Sequence, residues 1–391
     1  WFKYILSFFL ENTDRKIVIF SSFNDTITGW LSEEFSIYRG RVSLEYLRWQ
    51  KTLVKRSTNR IYNFALKCWP WLRLRKKLKR LEAQKGVEIE FVYMASIDEV
   101  LHTCLQTSLS NRIFPYQWSG LYHRPIHAAS IVSGCSPERV SRVTKMDGCI
   151  GIQSFQENYI EDMTRDFEVP VQYFPEIIEF SSNPPKCELA ETIKKKAKGR
   201  KVIGLMGLIN FYKGILTMHE VARHMENEPY YFVFLGNNDV VDGDLCLNEI
   251  KKYFTHYNLG SCFTHFEYIP DTGPFDSILQ TFDLVWAAFE DYPWSRENYP
   301  WSSNTLTKAA YHGKPLIVSD GGLMGYRVEQ YNLGFSIKAG SSLDAYLKIK
   351  DHFEGGVKME YGFEEYKKLN SIETLNRMFH QLLDAHGILN S

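Results

Sequence analysis

The fold of this chain is decided by residues 201–214, which read KVIGLMGLINFYKG. The first six residues form a near-continuous apolar run, which is typical of a parallel strand that is buried on both faces of its sheet. A glycine turn follows this run, and the pair Lys213-Gly214 stands where a helix is predicted to begin. A strand, a glycine turn and a helix start in succession indicate the opening of a βαβ unit.

The same alternation of strands and helices extends to both sides of this stretch. Further strand-like runs are predicted at residues 17–20, 87–94, 113–118, 148–153, 169–174, 230–235, 262–268, 284–288 and 316–319. The later runs are near-continuously apolar, as buried parallel strands are. The pattern therefore predicts an α/β protein with doubly wound parallel sheets.

Two domains are predicted, because residues 179–198 combine consecutive prolines with a lysine run between two strand-like segments. We expect one α/β domain at residues 1–180 and a second at residues 195–350. Residues 351–391 are predicted as a helical tail that packs back across the junction. The apolar helix predicted at residues 1–10 leads directly into a strand, so we expect the first strand of the N-terminal domain to precede this sequence.

Composition excludes several classes of protein. The 391 residues are 44% hydrophobic and 24% charged, as in soluble globular proteins, and no run approaches the ~18 apolar residues of a membrane-spanning helix. The cysteines number seven, an odd count, and no two lie within four positions, so the sequence has no C-x-x-C metal site and does not favour a disulfide framework. This indicates a reducing, cytoplasmic environment. A Walker-type ATPase is excluded because the sequence contains no G-x-x-x-x-G-K-[ST] motif.

Residues 204–214 resemble the donor domain of GT-B fold glycosyltransferases, especially those of family 4 (group 1). In that family a Lys-Gly pair at this position neutralises the diphosphate of a nucleotide sugar, and Lys213-Gly214 matches it. Leu208 stands where the family carries an arginine. The resemblance therefore implies a diphosphate site with one side-chain cation where the family has two.

A second block strengthens the resemblance. Residues 302–318, SSNTLTKAAYHGKPLIV, are similar to the family's helix followed by a strand. A turn at Gly321-Gly322 follows, and Gly334 matches the family's later glycine. A helix N-terminus presents free N–H groups and a partial positive charge, which suits phosphate. The resemblance implies that the donor is bound by residues of these two blocks: Gly207, Asn210, Lys213, Gly214, Glu297, Ser303, Asn304, Thr305 and Gly322.

Retaining members of family 4 carry two glutamates, eight positions apart, in the second block. Pro300 and Lys308 stand at the matching positions here. Glu290, Asp291 and Glu297 lie in the preceding loop and are the acidic residues available to replace them. The resemblance implies sugar transfer, and it leaves open whether the transfer is retaining or inverting.

The N-terminal domain carries an aromatic and polar run at residues 115–125, PYQWSGLYHRP. Aromatic faces stack on sugar rings, so Trp118, Tyr122 and Arg124 are the predicted acceptor-binding residues. His123 and Asp98, which follows a predicted strand, are the predicted catalytic pair that handles the acceptor proton. The alternatives are a structural loop for the aromatic run and a helix N-cap for Asp98.

A basic amphipathic helix is predicted around residues 69–81. Residues 71, 74, 78 and 81 share one apolar face, and residues 1–90 hold 18 basic against 9 acidic residues although the whole chain has 46 of each. This pattern suits docking on an anionic membrane, and a solvated basic face is the alternative. No nucleic-acid-binding motif is present. The predicted membrane residues are Trp71, Arg73, Arg75, Lys76, Lys77 and Lys79.

Taken together, the resemblance implies two facing Rossmann-like doubly wound domains, the GT-B arrangement, with donor and acceptor in different domains. The implied activity is hexosyl transfer from a nucleotide-diphospho-sugar to a sugar or lipid-linked acceptor in polysaccharide or glycoconjugate synthesis, without a metal or cofactor. The location implied is the cytoplasm, peripheral to the inner face of the cell membrane. The alternatives are a noncatalytic GT-B-like sugar-binding or scaffold protein, and a GT-B epimerase or phosphorylase.

Overall fold

The computed structural model describes residues 2–21, 24–46, 60–97, 112–122, 148–238, 243–271, 273–290, 303–356 and 359–389. The chain divides into two compact units, one of Trp1–Ile177 with Ser371–Ser391 and the other of Ile178–Asn370. The predicted tail is therefore split between them. Its first part belongs to the second unit, and its last helix packs in the first unit.

The described residues of the first unit form two parallel sheets. Strands β1 and β2 form one pair, and the other sheet has the order β3-β4-β5-β6. The strands are β1 (Ile17–Ser21), β2 (Val42–Tyr46), β3 (Val92–Met94), β4 (Trp118–Tyr122), β5 (Cys149–Ser154) and β6 (Val171–Tyr173). The helices are α1 (Phe2–Asn12), α2 (Asn24–Glu33), α3 (Arg60–Lys85), α4 (Ile160–Phe167) and α13 (Ile372–Asp384).

The second unit is built on one six-stranded parallel sheet. Its strands are β7 (Lys201–Met206), β8 (Tyr230–Leu235), β9 (Cys262–His265), β10 (Leu284–Ala287), β11 (Leu316–Ser319) and β12 (Gly334–Ile337). Its helices are α5 (Glu188–Ala197), α6 (Ile215–His224), α7 (Gly243–His256), α8 (Pro274–Leu279), α9 (Asn304–Tyr311), α10 (Gly322–Gln330), α11 (Ser342–Glu354) and α12 (Phe363–Leu369).

The strand order β9-β8-β7-β10-β11-β12 is that of a doubly wound Rossmann sheet. The chain starts at the central strand β7, builds outward to β9, and then returns to place β10 on the other side of β7. The direction of winding therefore reverses between β7 and β10. In open α/β sheets the ligand site lies at this reversal, beyond the carboxyl ends of the strands.

Apolar burial explains why these segments form the sheet. All six residues of β8, YYFVFL, are buried, as are five of the six residues of β7. Helices cover both faces of the sheet, with separate apolar clusters on the two sides. The α/β prediction and the predicted bounds of β7, β8 and β11 are confirmed, whereas β2 and β12 were not predicted.

The central part of the aromatic run of the first unit is a strand rather than a loop. Residues 118–122 form β4, which pairs with β3 and β5 and is buried along its whole length. Its polar residue Ser119 tolerates burial because its hydroxyl donates to the Gly151 carbonyl at 2.8 Å and bonds with the Gln153 amide. The predicted strand at residues 113–118 was therefore placed too early in the chain.

The apolar face of α3 packs into the core of the first unit. The Trp71 side chain is only 1% exposed and meets the Phe114 ring edge-on at 5.1 Å, and Leu74, Leu78 and Leu81 are buried beside it. The prediction that Trp71 enters a membrane is therefore wrong, because that face is already covered by protein. The basic residues of α3 lie outside the buried face.

Candidate functional site

The turn after β7 places a cation at the sheet edge where the winding reverses. Gly207 adopts φ +117°, and its N–H donates to the Leu235 carbonyl of β8 at 3.1 Å. The chain then reaches Asn210, a buried residue whose side-chain oxygen accepts a hydrogen bond from the Lys213 N–H at 3.1 Å. Asn210 therefore caps the short 3-10 helix Phe211–Lys213 and holds the backbone of Lys213 in place.

Gly214 ends this turn in a conformation that side chains rarely adopt. Its φ is +66°, and a Cβ atom there would lie 2.3 Å from the Ala288 carbonyl oxygen. The backbone of the turn thus packs directly on the end of β10. Only glycine combines a positive φ with so close an approach. Gly214 therefore lets the loop after β7 pack against the loop after β10.

Lys213 presents an ammonium group at this edge. The side chain is half-buried, and Nζ lies 5.7 Å from the centroid of the Phe289 ring, which follows β10. Among the residues that the structure describes, no carboxylate forms an ion pair with Lys213. Burial lowers the pKa of Lys213 to about 8. A half-buried cation without a counter-ion suits an anionic ligand.

Glu290, one of the predicted replacements for the family's glutamates, has a structural role. Its carboxylate accepts hydrogen bonds from the Thr217 hydroxyl at 2.8 Å and from the Thr217 N–H at 3.3 Å. Thr217 lies in the first turn of α6, so the carboxylate caps that helix. Asp291 and Glu297 lie outside the described residues.

The start of α9 contacts the glycine turn of β7. The Thr305 hydroxyl donates to the Met206 carbonyl at 3.4 Å and lies 3.7 Å from the position that a Cβ atom on Gly207 would take. Ser303 is the N-cap, and in the described part of the chain its side chain makes no capping hydrogen bond. The contact between Thr305 and Gly207 thus joins one residue from each of the two sequence blocks.

The start of α10 is linked to the same edge through the ends of β10 and β11. The Ser319 hydroxyl donates to the Phe289 carbonyl and accepts from the Phe289 N–H, both at 2.7 Å. Gly321 and Gly322 follow with φ of +76° and +61°, and α10 begins there. Phe289 and Ser319 were not singled out from the sequence, where they read only as the ends of buried strands.

Lys308, which stands at one of the family's glutamate positions, is buried in the structure. Its ammonium donates to the Asp271 carbonyl and lies 4.3 Å from the centroid of the Phe275 ring. Burial lowers the pKa of Lys308. The Lys308 side chain therefore bonds to the segment before α8. It is not a second free cation beside Lys213.

Of the predicted acceptor-side residues, the structure describes Trp118 and Tyr122. Trp118 and Tyr122 are each 0% exposed in β4, and Tyr122 packs 6.3 Å from the Phe167 ring. The prediction that their rings stack on a sugar is wrong, because protein side chains already cover both faces. Four predicted site residues lie outside the described residues: Asp98, His123, Arg124 and Glu297.

Within the described residues, no three His, Cys, Asp or Glu side chains gather as a metal site would require.

Comparison with solved structures identifies the architecture. HepE from Anabaena, solved in complex with UDP and glucose, aligns with a TM-score of 0.62 at 11% identity over 98% of this chain and 95% of that one. Sucrose-phosphate synthase from Thermosynechococcus elongatus aligns with a TM-score of 0.60 at 13% identity over 95% and 98% of the two chains. A glycosyltransferase from Rickettsia africae aligns with a TM-score of 0.57 at 13% identity over 94% and 90%.

These similarities show that the chain has the GT-B fold of two Rossmann-like units. No protein-family model and no curated protein sequence matches the chain. The narrower resemblance to family 4 therefore stays a prediction.

Proposed function

We propose that this chain is a glycosyltransferase that binds a nucleotide-diphospho-sugar at the carboxyl edge of the second unit's sheet. The observation that carries the proposal is Lys213, a half-buried ammonium without a carboxylate partner in the described part of the chain, at the point where the winding reverses. A diphosphate supplies the negative charge that this position lacks. The resemblance to the family's Lys-Gly pair supports the same assignment.

The chemistry needs positive charge on the leaving nucleoside diphosphate. As the bond to the sugar breaks, negative charge grows on the departing phosphate oxygen, and groups already aimed at it lower the barrier. Lys213 supplies one full charge, and each helix N-terminus supplies about half a charge. We assign the helix contributions to the starts of α9 and α10, while Leu208 contributes none.

The donor to test first is UDP-glucose. HepE, which shares the fold over nearly the whole chain, has been solved with UDP-glucose as well as with UDP and glucose. Ser303, Asn304 and Gly322 are the helix-start residues that we assign to the donor, together with Gly207 and Thr305 of the contact described above. Glu297 keeps its assignment to the sugar or ribose as a proposal from the sequence.

On the acceptor side, we assign the proton of the acceptor hydroxyl to His123, supported by Asp98, with Arg124 binding the acceptor. The acceptor class is a sugar or a lipid-linked sugar. Loss of a general base typically costs about 100- to 10,000-fold in rate. His123→Ala should therefore lower turnover by about 100- to 10,000-fold while leaving donor affinity unchanged. Full activity in that variant would remove His123 from the mechanism.

A thermal-shift screen against UDP-, GDP-, ADP- and CMP-sugars tests the proposal. A sugar nucleotide present at about 100 times its Kd stabilises the folded chain by about 2.7 kcal/mol, which shifts the melting temperature clearly. Release of the free nucleoside diphosphate in the presence of acceptor then measures turnover. The proposal predicts that sugars of one nucleotide raise the melting temperature of the wild type. It also predicts that they do not raise the melting temperature of Lys213→Ala. No shift with any of the four classes would contradict it.

A noncatalytic sugar-nucleotide-binding protein is the second candidate. It is favoured by the structural roles of two charged residues near the family's acidic positions, since Lys308 bonds the Asp271 carbonyl and Glu290 caps α6. This candidate predicts nucleotide-sugar binding with the same Lys213 dependence and no nucleoside diphosphate release with any acceptor. The binding and release measurements together therefore separate the two candidates.

A further inference from the structure

Helix α3 exposes a second face, opposite the one that packs into the core. Trp69 and Leu72 are 62% and 41% exposed, although large apolar side chains of a helix are usually covered. Their neighbours on the same face, at helical spacing, are Arg73, Lys76 and Arg80, and Lys79 lies beside them. The sequence prediction used the apolar residues of the buried face, so this combination emerges only from the structure.

The cations of this face have no partners within the described part of the chain. Arg73, Lys76, Lys79 and Arg80 form no ion pair or hydrogen bond through their side chains there. Glu82 is the only acidic residue in the sequence of α3, and its carboxylate accepts hydrogen bonds from the Tyr116 hydroxyl at 3.1 Å and the Ile89 N–H at 3.3 Å. This contrasts with the exposed Lys252 of α7, which pairs with Glu249 three residues away.

Two other basic residues of α3 are already engaged with protein. The Arg75 guanidinium donates to the Arg112 carbonyl at 2.8 Å, and the Lys77 ammonium lies 5.8 Å from the centroid of the Phe20 ring. They flank the buried face and help to seat the helix on the first unit. The surface available to a partner is therefore the set of Trp69, Leu72, Arg73, Lys76, Lys79 and Arg80, which we call the outer α3 face.

We propose that the outer α3 face docks on an anionic lipid bilayer. Trp69 and Leu72 would enter the boundary between headgroups and acyl chains, and the four cations would contact the phosphates above it. An exposed aliphatic side chain within the face distinguishes this partner from nucleic acid, whose phosphate backbone offers Leu72 no apolar contact. The contact proposed is peripheral. None of the described helices is long and apolar enough to span the bilayer.

Vesicle flotation with the whole chain tests the proposal without any nucleotide sugar. The probes are vesicles of phosphatidylglycerol with phosphatidylcholine, and vesicles of phosphatidylcholine alone. The charge variant replaces Arg73, Lys76, Lys79 and Arg80 with glutamine, which keeps helix propensity. The matched control removes the same charge from exposed positions of α5, its C-cap and α7: Lys194, Lys195, Lys198 and Lys251 to glutamine.

The wild-type chain should float with the anionic vesicles at low salt, and binding should weaken as ionic strength rises. Each cation near an anionic surface raises affinity about fivefold. The charge variant should therefore bind the anionic vesicles roughly 100- to 1,000-fold more weakly than the wild type. The control variant should bind like the wild type. Trp69→Ala, which changes no charge, should lose about tenfold because apolar transfer is lost.

Several results would overturn the proposal. They are no flotation of the wild type at low salt, equal binding to neutral vesicles, or equal losses in the charge and control variants. Tighter binding to duplex DNA or RNA than to anionic vesicles would reassign the face to nucleic acid. Far-UV circular dichroism of each variant establishes that a loss of binding is not a loss of folding.

Discussion

The ammonium of Lys213 lies 5.7 Å from the centroid of the Phe289 ring. This contact joins the loop after β7 to the end of β10, the two strands between which the winding of the sheet reverses. The ring attracts the cation without neutralising it. Lys213 is therefore positioned by protein contacts and still carries a charge that an anionic ligand can use.

Donor affinity should depend on pH through Lys213. Burial lowers its pKa to about 8, so the ammonium is charged at pH 7 and largely neutral at pH 9 in the free protein. A bound diphosphate favours the charged form, so affinity should be highest below pH 8 and fall as pH rises through that value. Calorimetric titrations between pH 7 and pH 9 measure this dependence.

Lys213→Ala is the control for the pH experiment, because it removes the titrating group. Its affinity should be low and nearly constant over the same range, and the wild type should approach it at high pH. A wild-type affinity that stays constant, or one that rises with pH, would contradict the assignment of the ammonium to the diphosphate.

Gly214→Ala should destabilise the second unit and displace Lys213. The new Cβ atom would lie 2.3 Å from the Ala288 carbonyl oxygen in a backbone with φ +66°. Gly199→Ala is a matched control, because Gly199 has φ +81° and no atom within 4 Å of its Cβ position. Gly199→Ala should lower the free energy of unfolding by about 1 kcal/mol, which is the cost of placing alanine at positive φ.

The free energy of unfolding should fall further in Gly214→Ala, by about 2–4 kcal/mol, because the clash with the Ala288 carbonyl adds to the cost of the backbone conformation. Urea unfolding of both variants measures the difference, and donor titrations show whether affinity falls along with stability. Equal losses at the two positions would mean that the Ala288 contact does not hold the turn in place.

Asp276 should be important for stability, because its buried carboxylate has two hydrogen-bonding partners. Its carboxylate accepts the Ser181 N–H at 2.8 Å and lies 3.0 Å from the His312 Nε2 atom, so it joins α8, the end of α9 and the start of the second unit. Asp276→Ala should lower the free energy of unfolding by about 2–4 kcal/mol, because each buried partner left unpaired costs about 1–3 kcal/mol.

Asp276→Asn is the milder variant, because the amide keeps one oxygen that can accept a hydrogen bond. It should retain about half of the lost stability in urea unfolding. If Asp276→Ala unfolds at the same urea concentration as the wild type, these hydrogen bonds are not stabilising contacts.

The second unit was the more predictable from sequence. Strands such as β7 and β8 are buried on both faces, so their continuous apolar runs mark their limits directly. Gly207 and Lys213 were found because glycine turns and helix starts carry a local signature. Phe289 and Ser319 carry none, since their roles arise from pairing between the ends of β10 and β11, which only the tertiary structure brings together.

The first unit misled sequence reasoning in two places. The residues around Trp118 suggested a sugar-binding surface, but these residues are buried, and the Ser119–Gln153 hydrogen bond satisfies polar atoms inside the core. The apolar stripe of α3 suggested a membrane face, but an amphipathic helix packs on a sheet with the same periodicity. In both cases the pattern predicts an apolar environment and cannot say whether protein or another phase provides it.

The most direct test of the central claim compares Lys213→Ala with the wild type at pH 7, by calorimetric titration of the nucleotide sugar selected in the screen and of its free nucleoside. Lys251→Ala, which removes an exposed lysine of α7, is the control. We predict that Lys213→Ala loses about 1.5–3 kcal/mol of nucleotide-sugar affinity, the range for a hydrogen bond to a charged group, while nucleoside affinity stays nearly constant. Unchanged nucleotide-sugar affinity in Lys213→Ala, or an equal loss in Lys251→Ala, would contradict the claim that the diphosphate binds at Lys213.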